Sequence, residues 1–345
     1  MIWHPQALAV WTGDLLALAI GCDAVRRLIM ALPQWDPASG DRLQLLRERS
    51  LELAAFQGLW VFMFQAGSLV VFLLGCSNVW SAIVPGAMCG TGVLQAMGAY
   101  GNQTLLFRTA ALLVLFAWWT ASRIDRHHPE GPLRPFMGRL FLLGFPLMLL
   151  GIVTWGRAVA AVDPAKAVDC CAVVYAAATR HAPPVPLDTG PGGHQWIAVC
   201  LAGAALIAAA GLVRWKHPTW GGPWVAILLG CFTMGWVWAA VQALRFGFGP
   251  YIYEVLQHPC PWCLFLPEHG GVGVVLFGAL AVVCLEQTAA GVSAVIARSQ
   301  PDLRDAAMAR LRTTQWRTAA AVIVFCTVSA APVIRWRIHF GGWML

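Results

Sequence analysis

Charge is scarce in this chain. Asp, Glu, Lys and Arg together make up 11% of the 345 residues, less than half of the roughly 25% usual in a soluble domain. With 59% hydrophobic residues and a mean hydropathy of +0.67, that scarcity argues against a soluble globular enzyme. It points to an all-α, polytopic membrane helix bundle whose first partner is the lipid bilayer. Other absences narrow the chemistry. No Gly-rich phosphate loop follows a strand and no Ser/His/Asp arrangement is visible, so no ATPase or hydrolase is indicated. There is no Cys-x-x-Cys-His for covalent haem. No apolar segment of spanning length carries a histidine, which argues against haem held by two axial histidines inside the bundle. The net charge of +7 comes from basic residues scattered over short loops, not from a stripe that could follow phosphates, so nucleic acid is not expected as a partner. Asp14 and Asp23 interrupt the first apolar stretch and no small-residue cleavage site follows it, so it reads as a span and not as a cleaved signal.

What is present is a series of eight apolar segments of about the 20 residues a hydrocarbon core requires. They lie near Ala7–Ala31, Leu51–Gly75, Leu105–Ser122, Leu140–Val162, Trp196–Val213, Trp224–Phe246, Val272–Ile296 and Ala319–Ile334. Basic residues orient them. Arg26, Arg27, Arg42, Arg47 and Arg49 follow the first segment; Arg123, Arg126, Arg134 and Arg139 follow the third. Arg214 and Lys216 follow the fifth, and Arg298, Arg304, Arg310, Arg312 and Arg317 the seventh. These are 16 of the 23 basic residues, and alternating helices put them all on one side. By the positive-inside rule that side is cytoplasmic and both termini are outside. The chain reads as one integral membrane domain, 1–345. Helices one to four (1–162) and five to eight (195–345) share an orientation, which admits a 4+4 pseudo-repeat joined by an outer loop at 163–194, although the residues of the halves do not align.

Cysteine follows this topology. Of 11 cysteines, Cys76, Cys89, Cys170, Cys171, Cys260 and Cys263 fall in or beside the three outer loops. Cys22, Cys200, Cys231, Cys284 and Cys326 fall within helices, where a thiol serves as a small apolar side chain. Six thiols on the face that meets an oxidising compartment fit disulfide chemistry. The sharpest motif is His258-Pro259-Cys260-Pro261-Trp262-Cys263, placed where a polar turn meets an apolar helix. A helix start lowers a thiol pKa and sharpens its nucleophilicity. Redox exchange, a static disulfide and half of a metal site all remain open readings of this spacing.

The run Tyr253 to Leu264 resembles the bacterial disulfide-bond protein DsbB, where a Pro-Cys-x-x-Cys opens a transmembrane helix on the outer face. The order of helices and loop cysteines is similar to vitamin K epoxide reductase. The resemblance covers about a dozen residues and an ordering of loops. It implies a membrane thiol–disulfide oxidoreductase of a bacterial inner membrane, with its cysteine loops facing the periplasm. In it Cys260 and Cys263 face a quinone, Cys170 and Cys171 exchange with a periplasmic thioredoxin-like protein, and Cys76 and Cys89 form an additional pair. Two departures stand out: the arginine that follows the motif in DsbB is replaced by Leu266-Pro267-Glu268, and adjacent cysteines such as Cys170-Cys171 seldom bond each other.

Supporting groups follow from position. Arg108, Arg157 and Arg245 lie near outer helix ends, where an arginine either faces a wet cavity or reaches the headgroups. Arg245, nearest the motif in sequence, together with Trp262 and His258, makes a candidate quinone contact set. Asp14, Glu286, Gln57, Gln65 and Gln242 are intramembrane polar groups able to carry protons or to join helices. His181, His194, His258 and His269 lie on the outer side near the cysteines, but their spacing assigns no metal site. Trp118, Trp119, Trp155, Trp196, Trp224, Trp236 and Trp238 read chiefly as interfacial belt residues. Two function classes stand: a quinone-linked thiol–disulfide oxidoreductase, or a non-enzymatic membrane subunit or maturation factor with structural disulfides or an outer-face metal site. A small-solute carrier rests on the pseudo-repeat alone.

Overall fold

The structure is a computed structural model that describes residues 3–36, 39, 41–168, 192–217, 222–255, 258 and 260–344. Among these residues every regular element is helical: α1 (Pro5–Ala31), α2 (Arg42–Leu74), α3 (Gly90–Ala96), α4 (Ala99–Asp125), α5 (Arg134–Ala161), α6 (Gly193–Lys216), α7 (Gly222–Ala243), α8 (Gly249–Tyr253), α9 (Val272–Ser299) and α10 (Arg304–Phe340). Seven helical stretches are long and apolar enough to cross a membrane, and only 28% to 50% of each apolar window is buried by protein. The remainder is covered with residues such as Leu106, Leu143, Leu206 and Leu228. Apolar surface of that extent requires lipid; the chain is a polytopic α-helical membrane protein. The first of the eight expected segments forms a helix of 27 residues, α1, which lies outside that set of seven. The last differs most from expectation. Instead of a short span at Ala319–Ile334, α10 runs without a break for 37 residues.

The chain divides into two compact units. The first comprises Met1–Ile83, Val93–Lys166 and Val295–Ala307. Its helices start where capping chemistry permits. Asp41 accepts a hydrogen bond from the backbone N–H of Gln44 at 3.2 Å, satisfying one orphan donor of α2. α1 turns Ala7, Val10, Asp14, Ala17 and Ala24 inward, a stripe of mostly small residues that lets α2 approach closely. Asp14 takes the helix-joining role, one of the two that its position in an apolar run admits. Arg108 of α4 donates to it from both terminal nitrogens, with side-chain exposures of 1% and 0%. That pairing explains both residues without invoking either headgroup contact or proton transfer. Removing one partner of such a pair costs about 3–5 kcal/mol. The belt reading of the tryptophans is also corrected here. Trp155 is fully buried and stacks on Trp80 at 5.3 Å between ring centroids.

The second unit comprises Val84–Gly92, Ala167–Ala294 and Met308–Leu345. Its core gathers Trp236, Phe248, Leu276 and Phe325 from α6–α10 and their connections. Trp236, likewise no belt residue, is buried and donates its indole N–H to the Cys200 carbonyl at 2.9 Å. Glu286 of α9 is held by Arg310 and Arg317, each at 3.1 Å, and accepts from the Thr314 hydroxyl at 3.0 Å. α7 continues through a π turn, Leu244–Phe248, into α8, which ends at Glu254 in the left-handed conformation. That stop directs the chain into the cysteine turn.

Candidate functional site

The cysteine motif does not open the long apolar helix. Cys260 caps a five-residue 3-10 turn, Pro261–Phe265; a second short turn, Pro267–His269, follows, and α9 starts only at Val272. The sequence explains the delay. Pro261 and Pro267 cannot donate the backbone bonds of a continuing helix. Gly270 and Gly271 adopt φ of +67° and +60°, a region favourable chiefly to glycine. The dipole of α9 is therefore not what acts on Cys260.

What acts on it is a third thiol. Cys89, from the stretch Val84–Gly92 of the same unit, brings its sulfur to 3.5 Å from that of Cys260. The sulfurs of Cys89, Cys260 and Cys263 all lie within 4.8 Å of one another. The Thr91 hydroxyl is 3.1 Å from the Cys260 sulfur, and His258 Nε2 is 3.0 Å from the Cys263 sulfur. Tyr253 donates its hydroxyl to the Cys260 carbonyl at 2.6 Å. The Tyr253 ring meets those of His258 and His269 edge-on, with centroids 4.9 and 4.8 Å away. Cys89 and Cys263 are buried and Cys260 is partly buried.

Close approach depends on Gly90. A Cβ at that position would overlap the indole of Trp262, so glycine is what lets the Cys89 loop lie against the motif. Gly86, at φ +77°, brings its loop equally close to the backbone of Val168, whose N–H donates to the Pro85 carbonyl at 3.0 Å.

The electrostatics follow from who donates to whom. Hydrogen bonds from Cys263 first, then from Cys89 and Thr91, hold the Cys260 thiol far below its ordinary range, because each stabilises the thiolate. Cys89 is pushed up to about 12, chiefly by the hydrogen bond it gives Cys260. Cys263 is pushed up for the same leading reason and by burial. Burial lowers His269. These contacts favour the thiolate form at Cys260 and the thiol form at its two neighbours.

Other sequence candidates fall elsewhere. Cys76 is fully buried in the π turn Gly75–Val79 of the first unit, and its thiol is in no disulfide. Cys170 and Cys171 lie outside the described residues. Arg245 sits on the Leu244–Phe248 turn with its guanidinium 5.0 Å from the Phe246 ring centroid. Trp262 packs toward Phe265, which stacks on Phe277. Sequence reasoning missed the joint role of Cys89 with the motif, and also Thr91 and Tyr253. The one signal available was the small-residue run Cys89-Gly90-Thr91-Gly92, which marks a loop built to approach another segment. A cavity of about 860 Å³ lies alongside, walled by Tyr253, His269, Arg335, Trp336 and His339. No family model, curated protein or solved structure matches this chain.

Proposed function

We propose that this protein is a membrane thiol–disulfide oxidoreductase in which Cys260 is the nucleophile and Cys263 and Cys89 are resolving thiols. The observation that carries the reading is the three-sulfur group itself. A static crosslink uses two cysteines and has no work for a third, whereas exchange needs an attacking thiolate and a second thiol within bonding reach. The Cys260 thiolate attacks a partner disulfide, forming a mixed disulfide and releasing one partner thiol. Cys263, its proton passing to His258, then attacks the Cys260 sulfur. That forms the Cys260–Cys263 disulfide and frees the second partner thiol. Run in reverse, the same steps oxidise the partner.

In this reading the chain crosses a bacterial inner membrane eight times with both termini outside. The cysteine turn then faces the periplasm and a thioredoxin-like partner. Cys170 and Cys171 are the candidate shuttle to that partner. The redox partner in the membrane is a quinone couple: the quinone accepts electrons when the soluble partner is oxidised, and the quinol supplies them when the partner's disulfide is reduced. The cavity beside the turn fits such a ring in size and in lining: Trp336 offers a stacking face, Arg335 and His269 offer donors, and Tyr253 joins its wall to the Cys260 carbonyl. A quinone bound there takes up the two electrons and two protons of a dithiol.

The test is capture of the mixed disulfide. In the double variant Cys89→Ala/Cys263→Ala, in membranes stripped of metal by chelation, Cys260 has no resolving thiol. A thiol-reversible adduct with a soluble protein accumulates, at higher yield than in either single variant. If no adduct forms, and Cys260 and Cys263 keep one redox state under both reductant and oxidant, the exchange reading fails.

A further inference from the structure

We infer that the reduced three-thiol turn is also a binding site for one thiophilic metal ion, Zn(II) or Cu(I), with Cys89, Cys260 and Cys263 as the ligands and His258 beside the fourth position. This goes beyond the exchange reading and does not depend on it. Three thiolates bonded to one tetrahedral ion at about 2.3 Å stand about 3.8 Å from one another. The sulfurs here lie within 4.8 Å, with Cys89 and Cys260 3.5 Å apart, so small side-chain rotations suffice. The donor set is the second reason. Soft thiolates select Zn(II) and Cu(I) over hard cations, and no carboxylate belongs to the group. Three cysteines with one histidine make up a recurrent zinc set, and the His258 Nε2 already lies 3.0 Å from one of the sulfurs. The third reason is the wall. Cys89, Leu264 and Cys263 are buried, and the buried Tyr253 hydrogen-bonds the Cys260 carbonyl, which limits the water able to compete for the ion to the side of Cys260.

The spacing of the motif alone did not identify this site because one ligand comes from 171 residues away in the chain. Binding releases the thiol protons to solvent. It also occupies the sulfur lone pairs that attack a disulfide, so metal loading and the Cys260–Cys263 disulfide exclude each other. Exchange and metal occupancy are then alternative states of one turn.

The test uses the full-length protein in detergent, reduced and desalted without oxygen, with Co(II) as the probe for a zinc-type site and Cu(I) against a chromophoric competitor as the second probe. One ion per chain is expected. For Co(II), strong near-ultraviolet thiolate-to-metal absorption should appear. Cys89→Ser, Cys260→Ser and Cys263→Ser should each abolish it, while Cys231→Ser leaves it unchanged. His258→Gln, which removes the fourth donor and leaves the three sulfurs, should weaken binding by at least about 10-fold. Unchanged elution and thermal midpoint of the metal-free variants establish that they fold. In the wild-type protein the ion should protect Cys260 from maleimide. Tetrahedral Co(II) bands assign the site to zinc; Cu(I) binding alone assigns it to copper. Failure of folded, reduced wild-type protein to bind either ion, or undiminished binding by Cys89→Ser, overturns the inference. Either result leaves the mixed-disulfide assay on metal-free membranes to judge exchange separately.

Discussion

Each unit breaks the end of its second long helix with a five-residue π turn, and the two turns lead to different outcomes. In the first unit Gly75–Val79 closes into packing. Cys76 is fully buried, the Trp80 ring presses on Gly75, and Trp80 stacks on Trp155 and meets Phe72 edge-on. In the second unit Leu244–Phe248 leads into α8, which presents Tyr253 to the carbonyl of Cys260. A fully buried thiol in a packed turn acts as filler. A thiol surrounded by a hydroxyl, an imidazole and two other sulfurs has chemistry available to it. The difference lies in the neighbours, not in the cysteine.

That comparison can be broken from either side. The largest effect is expected at Trp80. Replacing it with alanine should cost about 3–5 kcal/mol, the range for deleting a fully buried large aromatic, read as a drop in thermal midpoint in detergent. The reactivity of Cys260 in the second unit should be unaltered. A smaller loss is expected for Gly90→Ala, whose new methyl overlaps the Trp262 indole. Overpacking of this kind costs about 1–3 kcal/mol, and moving the loop should cut maleimide labelling differences between Cys89 and Cys260. Finding Gly90→Ala neutral in both stability and labelling would remove the close approach from the account. The smallest change is expected for Thr91→Val. The Thr91 hydroxyl donates to the thiolate form of Cys260, so its loss raises that thiol. The pH below which Cys260 alkylation falls away should move upward by about one unit, equivalent to roughly 1.4 kcal/mol, with no change in global stability.

Much of the fold was legible because lipid imposes a simple rule on sequence. Runs of apolar residues located several membrane helices to within a turn or two: Leu105–Ser122 is the interior of α4, Leu140–Val162 overruns the end of α5 by one residue, and Val272–Ile296 is nearly all of α9. Where the rule gives no signal, the reading stopped short. Nothing between Arg304 and Phe340 breaks a helix except Pro332, so the polar first turns of α10 join its apolar part directly. The polar groups were harder still. Asp14 and Arg108 are 94 residues apart, and only packing reveals them as one ion pair. At the site, the motif itself was legible and its partner was not. Loop position groups Cys89 with Cys76, whereas Gly90 and Thr91 fit it against Trp262 and Cys260. The activation of Cys260 was expected from a helix start. Two prolines and a pair of glycines moved that start to Val272 and left the task to neighbouring donors.

Of the three clustered sulfurs, only Cys260 is partly open to its surroundings, since Cys89 and Cys263 are 0% and 5% exposed. A large reactant therefore encounters them one at a time and always in the same sequence. Such a doorway enforces order on the chemistry behind it: the outermost atom must commit before the inner two can answer, and a bulky visitor cannot be tethered twice.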